Sequence, residues 1–209
     1  MYYRAAACTG ALYHIDLYVV CGKIKGLDAG VYHFSPHDFS LRKLREGDHR
    51  GILVKGSAEE PSLSHAPVIL ATASTYWRNS WKYRSRTYRH CGWDNGTLLA
   101  NLLAATAGYS IPTKIICGFL DNDVNRLFDL ETRTEAVLSL ISIGWQGNPL
   151  PTSTLPKTES LGFETLPISK NRIDFPAITD IHSVSCLKEL AEVIQWREKN
   201  HHMPQPTPT

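Results

Sequence analysis

Short apolar runs separated by turn residues organise this chain. Ile15–Val20 (IDLYVV) is rich in β-branched and aromatic residues and predicts a strand. Gly26–Gly30 is turn chemistry, and Val31–Phe34 (VYHF) predicts the returning strand. Leu41–Leu44 then leads into a charged segment around Glu46–Arg50. Val68–Ala73 (VILATA) is continuously apolar and short enough to be a buried strand. Gly96–Ala105 is apolar on nearly every face, which predicts a helix that is central or buried against a partner subunit. Asp94 or Asn95 stands where its N-cap belongs, and Gly108 with Pro112 supplies the stop. Lys114–Cys117 predicts another strand, Gly118-Phe119 a turn, and Asp121–Phe128 a short helix. Ala136–Ile143 (AVLSLISI) predicts the last strand, ended by Gly144. Paired strands alternating with helices give an α+β class, with helices flanking a mixed, mostly antiparallel sheet.

Composition limits what such a chain can be. With 209 residues and 43% hydrophobic content it supports one sizeable core, expected over residues 1–147. From Asn148 the composition shifts: Pro149, Pro151, Pro156 and Pro167 among Ser and Thr predict a linker over 148–209. Within it, Cys186–Lys199 fits one amphipathic helix, and HHMPQPTPT reads as a disordered end. A net charge of +2, from 22 basic and 20 acidic residues, argues against a general nucleic-acid or membrane-surface binder. The five cysteines, Cys8, Cys21, Cys91, Cys117 and Cys186, are widely spaced, with no Cys-x2-Cys or Cys/His pair at zinc spacing. No metal site is therefore expected, and reduced, buried thiols in a cytoplasmic protein are. The first twenty residues lack a basic-then-apolar signal layout, and no apolar run reaches membrane-spanning length.

One segment departs from this ordinary picture. Trp77–Asn101 concentrates Trp77, Arg78, Trp81, Lys82, Tyr83, Arg84, Arg86, Tyr88, Arg89 and His90 directly before the apolar helix. Such a cluster offers flat faces to a planar ligand and fixed positive charge to an anionic one. The same residues also read as an arginine-rich solvated face with aromatic core residues beneath it.

Three blocks, in order, resemble the SagB-type branch (azoline dehydrogenase-like, ThcOx) of the FMN-dependent nitroreductase superfamily. Arg4–Val20 (RAAACTGALYHIDLYVV) is similar to a loop and strand of the form R-x-x-P-S-A-G-A-L-Y-P-x-E-L-Y-V-V. Gly26–Leu44, with GVYHFSPHDFSLRKL, resembles the hairpin that follows. Trp81–Asn101 resembles a K-Y-x-x-R-x-Y-R segment and central helix, and Cys117–Asp121 its G-F-x-D turn. The resemblance covers about residues 1–145, and 151–197 resemble the linker of tandem members.

The resemblance implies a nitroreductase-like fold with FMN in a groove at a dimer interface, the central helix lying at that interface. It implies hydride transfer to or from the flavin, with azoline-to-azole oxidation in modified peptides as the specific reaction. Lys82 and Tyr83 match the pair that removes the proton, although a snorkelling lysine beside a core tyrosine gives the same sequence. Cys8, Thr9 and Gly10 match the loop against the flavin ring, with Ala7 and Cys8 in place of the usual Pro and Ser. Arg86 and Arg89 match cofactor- or substrate-binding arginines, or interface ion pairs. Gly118 and Phe119 match the loop at the flavin edge, or an ordinary strand-to-helix turn. The family's N-terminal helix and its R-R-S-x-R phosphate motif are expected to be missing from this chain. Expected partners are a second copy in a homodimer, or a second nitroreductase-like domain, and a small-molecule or peptide substrate, without nucleic acid or membrane. The reading of the other class is a non-catalytic scaffold or dimerisation domain, or the truncated half of a tandem enzyme.

Overall fold

A computed structural model describes residues 4–144, 149–150, 158–163 and 169–201. Six strands form one sheet: β1 Ile15–Cys21, β2 Gly30–Ser35, β3 Ser40–Glu46, β4 Val68–Thr75, β5 Thr113–Ile116 and β6 Glu135–Ile143. Their spatial order is β3-β2-β1-β4-β6-β5, and every pairing is antiparallel. The helices are α1 Arg50–Gly56, α2 Pro61–Ser64, α3 Trp77–Tyr83, α4 Thr87–Gly108, α5 Asp121–Leu127, α6 Pro176–Ser185 and α7 Leu190–His201. None among the described residues is long and apolar enough to cross a membrane.

The two-residue period of the strands gives the sheet two different faces. Ile69, Ala71 and Ala73 of β4 join Tyr18 and Val20 of β1 and Val137 and Leu140 of β6 on the apolar face. Against them pack Ile52, Leu53 and Val54 of α1, Leu63 of α2, and Val124 and Leu127 of α5, with Phe128 just beyond. The alternate positions include Thr72 and Ser74 of β4 and Ser139 of β6, all fully buried. The hydroxyls of Thr72 and Ser139 pair at 2.6 Å, beside a register shift between Thr72 and Ala73. Cys91 and Asn95 of α4 meet this polar face, reaching Ser74 at 3.2 Å and Ser139 at 3.2 Å.

That polar packing explains why α4 begins seven residues before the expected N-cap. Its first turns bury Thr87, His90, Cys91, Asp94 and Asn95: Cys91 and Asn95 reach the sheet, Thr87 and His90 bond to Asn79 of α3, and Asp94 bonds to the loop before β1. Asp94 and Asn95 are interior helix residues and cap nothing in α4 itself. The apolar half is the exposed one: Leu103 is 38% and Trp93 57% accessible, with Leu99 turned inward. Gly108 ends α4 as expected.

Two helices lie in the region read as a linker. Ile178 of α6 is buried among Tyr76, Cys91 and Ala136. Val193 of α7 is 1% exposed, and Arg197 reaches the Ser57 and Ala58 carbonyls and the Glu60 carboxylate. The helix expected at 186–199 starts at Leu190, because Cys186 closes α6 by donating its N–H to the His182 carbonyl at 3.1 Å. Pro151, Pro156, Pro167 and the segment after His201 lie outside the described residues.

Candidate active site

The loop that delivers the chain into β1 holds three residues in left-handed backbone conformations: Gly10 at φ +62°, Ala11 at +55° and Tyr13 at +49°. For Ala11 and Tyr13 this conformation costs roughly 1–2 kcal/mol each, so the loop needs external support. Asp94 provides it. Its carboxylate accepts the Thr9 N–H at 3.0 Å, the Thr9 hydroxyl at 2.7 Å, the Cys8 thiol at 3.2 Å and His14 Nε2 at 2.8 Å. His14 is wholly buried, and its Nδ1 lies 2.8 Å from the Ser74 hydroxyl, itself 3.2 Å from the Cys91 thiol. With Nε2 protonated the ring donates to Asp94 and accepts from Ser74, so a continuous polar chain runs from the sheet to the loop.

The electrostatics follow from this chain. Burial works to raise the Asp94 pKa, but the bonds from Thr9, Cys8 and His14 outweigh it and hold the carboxyl below its ordinary value. Burial lowers the pKa of His14 despite Asp94 beside it, which keeps the imidazole neutral. Burial and the bond to Asp94 push the Cys8 thiol up, so Cys8 serves as a protonated donor.

The same loop meets α3. A Cβ added at Gly10 would lie 2.7 Å from Tyr83 Oη and 3.2 Å from Lys82 Nζ. Cys8, Thr9, Gly10, Lys82 and Tyr83, distant in sequence, therefore form one neighbourhood, and only glycine fits its centre. Tyr83 stacks edge-on to His90, 4.5 Å between centroids, and His90 Nδ1 donates to Asn79 Oδ1 at 3.0 Å. The Arg86 guanidinium lies 5.8 Å from the Tyr83 ring, and that of Arg89 5.9 Å from Trp93. Lys82, Arg84, Arg86 and Arg89 are exposed, and among the described residues none of them pairs with a carboxylate. Arg78 differs, lying 3.6 Å from Asp16. An uncompensated cation cluster beside a glycine loop and aromatic rings suits a planar, anionic ligand.

Two expectations meet a different environment. Lys82, matched to a proton-removing base, is exposed, so this chain alone does not supply the desolvation that lowers a lysine pKa. Gly118 and Phe119 are not joined to the Gly10 neighbourhood: Phe119 enters the apolar core, and Gly118 lies beneath Trp196 of α7. A Cβ at Gly118 would stand 2.5 Å from the Trp196 ring, and both residues line a 210 Å³ cavity with Glu60 and Arg197. Asp94 and His14 are the site residues that sequence reading passes over. The available signal was an acidic residue at the head of a helix predicted to be buried.

No protein-family model matches the sequence. A curated protein of Methanocaldococcus jannaschii, provisionally named a nitroreductase, is 22% identical over 142 residues, covering 68% of this chain and 70% of that protein. The chain is similar to a provisionally named nitroreductase from Anabaena variabilis with a TM-score of 0.73 and 24% identity, covering 90% of this chain and 38% of that one. A chain of the E. coli microcin synthetase McbBCD complex, solved with truncated pro-MccB17 bound, gives a TM-score of 0.61 and 23% identity, covering 69% and 56%. The chain thus spans less than two thirds of either solved structure. The likeness establishes the architecture: this is a nitroreductase-like α+β fold, an antiparallel sheet flanked by helices.

Proposed function

We propose that the chain is a domain of an FMN-dependent oxidoreductase of the nitroreductase type, with SagB-type azoline-to-azole oxidation in a modified peptide as its reaction. The observation that carries this reading is the convergence of Lys82 Nζ and Tyr83 Oη on Gly10. The shared fold with a microcin synthetase chain supports it.

Bound FMN would supply a hydride acceptor. Arg86 and Arg89 would hold its anionic end, and the Thr9–Gly10 backbone, fixed by Asp94, would lie along its ring. Lys82 Nζ, after losing its own proton to solvent, would take the carbon-bound proton of the substrate as the neutral amine, and the Tyr83 hydroxyl would orient the same group. The exposed face of α4 meets a second copy, which completes the enclosure of Lys82 and excludes water. Gly118 under Trp196 favours the other reading, a scaffold domain that does not turn over.

The test is visible absorption of the purified chain after excess FMN has been added and unbound flavin removed. Retained flavin absorbance is expected, with Lys82→Ala keeping the flavin and losing azoline oxidation. A folded, colourless protein refutes flavin binding; equal turnover by Lys82→Ala refutes the base.

A further inference from the structure

Asp121 at the start of α5 and His182 and Cys186 at the end of α6 each bring one ligand atom to a common point, all within 4.8 Å of one another. His182 and Cys186 are four residues apart, a Cys/His spacing that sequence reading overlooked. One helical turn places both on the same face. His182 Nε2 lies 3.5 Å from Cys186 Sγ. A tetrahedral zinc ion, with Zn–S of about 2.3 Å and Zn–N of about 2.05 Å, sets its sulfur and nitrogen ligands about 3.6 Å apart.

A second trio, Cys8, His14 and Asp94, has the same elements within the same limit. The two differ in how well they are satisfied without an ion. In the loop trio both nitrogens of His14 make 2.8 Å bonds and Asp94 accepts from three residues, so an ion would have to break strong contacts. His182 is buried, and its ring makes no hydrogen-bonding contact among the described residues except the weak one to sulfur. Tyr76, whose ring centroid is 5.8 Å from that of His182, has a buried hydroxyl without a partner among the described residues. Asp121 Oδ2 accepts the Leu187 N–H at 2.7 Å, an outer contact that would orient a ligating carboxylate. The C-terminal end of α6 favours a cation as well.

We infer that Asp121, His182 and Cys186 form a divalent-metal site, taking zinc by its S, N and O donors, that fastens α6 to α5. The fourth position is left to water. The Cys186 thiol releases its proton to solvent as the Zn–S bond forms. Burial lowers the His182 pKa but raises those of Asp121 and of Cys186, the latter to about 11, so binding must displace the thiol proton and strengthens as pH rises. The site is independent of the flavin reading.

The full chain, stripped by a chelator, is given zinc or cobalt(II), freed of unbound metal and assayed for metal content. About one equivalent should be retained, with a thiolate-to-cobalt charge-transfer band. Zinc at a hundredfold excess over its dissociation constant should raise Tm by about 5–10 °C. Cys186→Ser and His182→Ala, checked for folding by circular dichroism, should each weaken binding beyond the roughly 10–100-fold that outer partners cost. Cys8→Ser should bind as wild type. No retained metal, equal retention by a folded Cys186→Ser or His182→Ala, or loss confined to Cys8→Ser each overturns the site. Should both α6 variants fail to fold, the cobalt band decides: its absence in wild type refutes thiolate ligation.

Discussion

Replacing Asp94 by Ala tests how the candidate site is held. The carboxylate accepts three strong bonds, from the Thr9 hydroxyl, the Thr9 N–H and His14 Nε2, plus the weaker Cys8 thiol. At about 1.5–3 kcal/mol per bond to a charged group, simple addition gives about 5–9 kcal/mol. That sum overshoots, because half-buried Thr9 can turn to water. His14 has no such escape, being wholly buried, and its orphaned N–H alone costs about 1–3 kcal/mol. The expected loss is therefore about 3–5 kcal/mol, a large share of the 5–15 kcal/mol usual for a domain. Asp94→Asn should lose only about 1–2 kcal/mol. It keeps an oxygen for Thr9, and the His14–Ser74–Cys91 chain can reverse its hydrogen-bond direction. Urea denaturation with an unchanged m-value measures both, and hydrogen exchange at 8–10 should quicken in the Ala variant. A loss below about 1 kcal/mol for Asp94→Ala would refute the claim that this carboxylate supports the strained loop.

Two further predictions rest on other faces of the molecule. Leu103→Asp, at an exposed position of α4, should leave the fold intact and weaken self-association by about 100-fold or more, two copies each losing about 1.5 kcal/mol of apolar burial. Equal sedimentation of variant and wild type would exclude α4 as the interface. Stability should also fall in acid. His14, His90 and His182 all have pKa values lowered chiefly by burial, so the unfolded chain takes up protons first. Their contribution is complete above about pH 6.5 and is lost as pH falls toward the folded values. Asp94 adds a second loss, present above its unfolded value near 3.8 and removed as pH falls through the lower folded one. A urea midpoint constant from pH 7 to pH 4 would contradict the histidine contribution, and one constant from pH 4 downward would contradict that of Asp94.

Five of the six strands were legible because each is a short apolar or alternating run whose register only one buried face can satisfy. The exception is β3, a charged edge strand with no buried position. The helices escaped in two ways. Helices α1 and α2 are seven and four residues long, too short to show a period. The first turns of α4 were hidden differently. Cys91 and Asn95 meet Ser74 and Ser139 of the sheet, His90 meets Asn79, and Asp94 meets Thr9 and His14, so polar residues mark the buried side. Asp94 before an apolar run looked like an N-cap, and the chemistry was right while the amide was wrong. It accepts a backbone N–H as a cap does, but from Thr9, across eighty-five residues. Lys82, Tyr83 and Gly10 could be chosen individually from sequence; their meeting depends on that long-range bond and on the polar sheet face behind it.

The tail helices follow the same logic. A proline-rich stretch has low local preference for structure, yet α6 and α7 need only a few well-placed anchors to dock. Ile178, Val193 and Trp196 supply apolar ones, and Arg197 joins Lys114 in pairing with Glu60, a carboxylate 4% exposed. Burial alone would raise the Glu60 pKa, but its bonds with Lys114 and Ser62 leave it below the ordinary value. Removing α7 would therefore uncover Gly118 and take one cation from a buried charge. The segment that covers one candidate flavin contact is thus also part of the domain's electrostatic support. Access to Gly118 and the stability of the α2–β5 edge are coupled through a single helix.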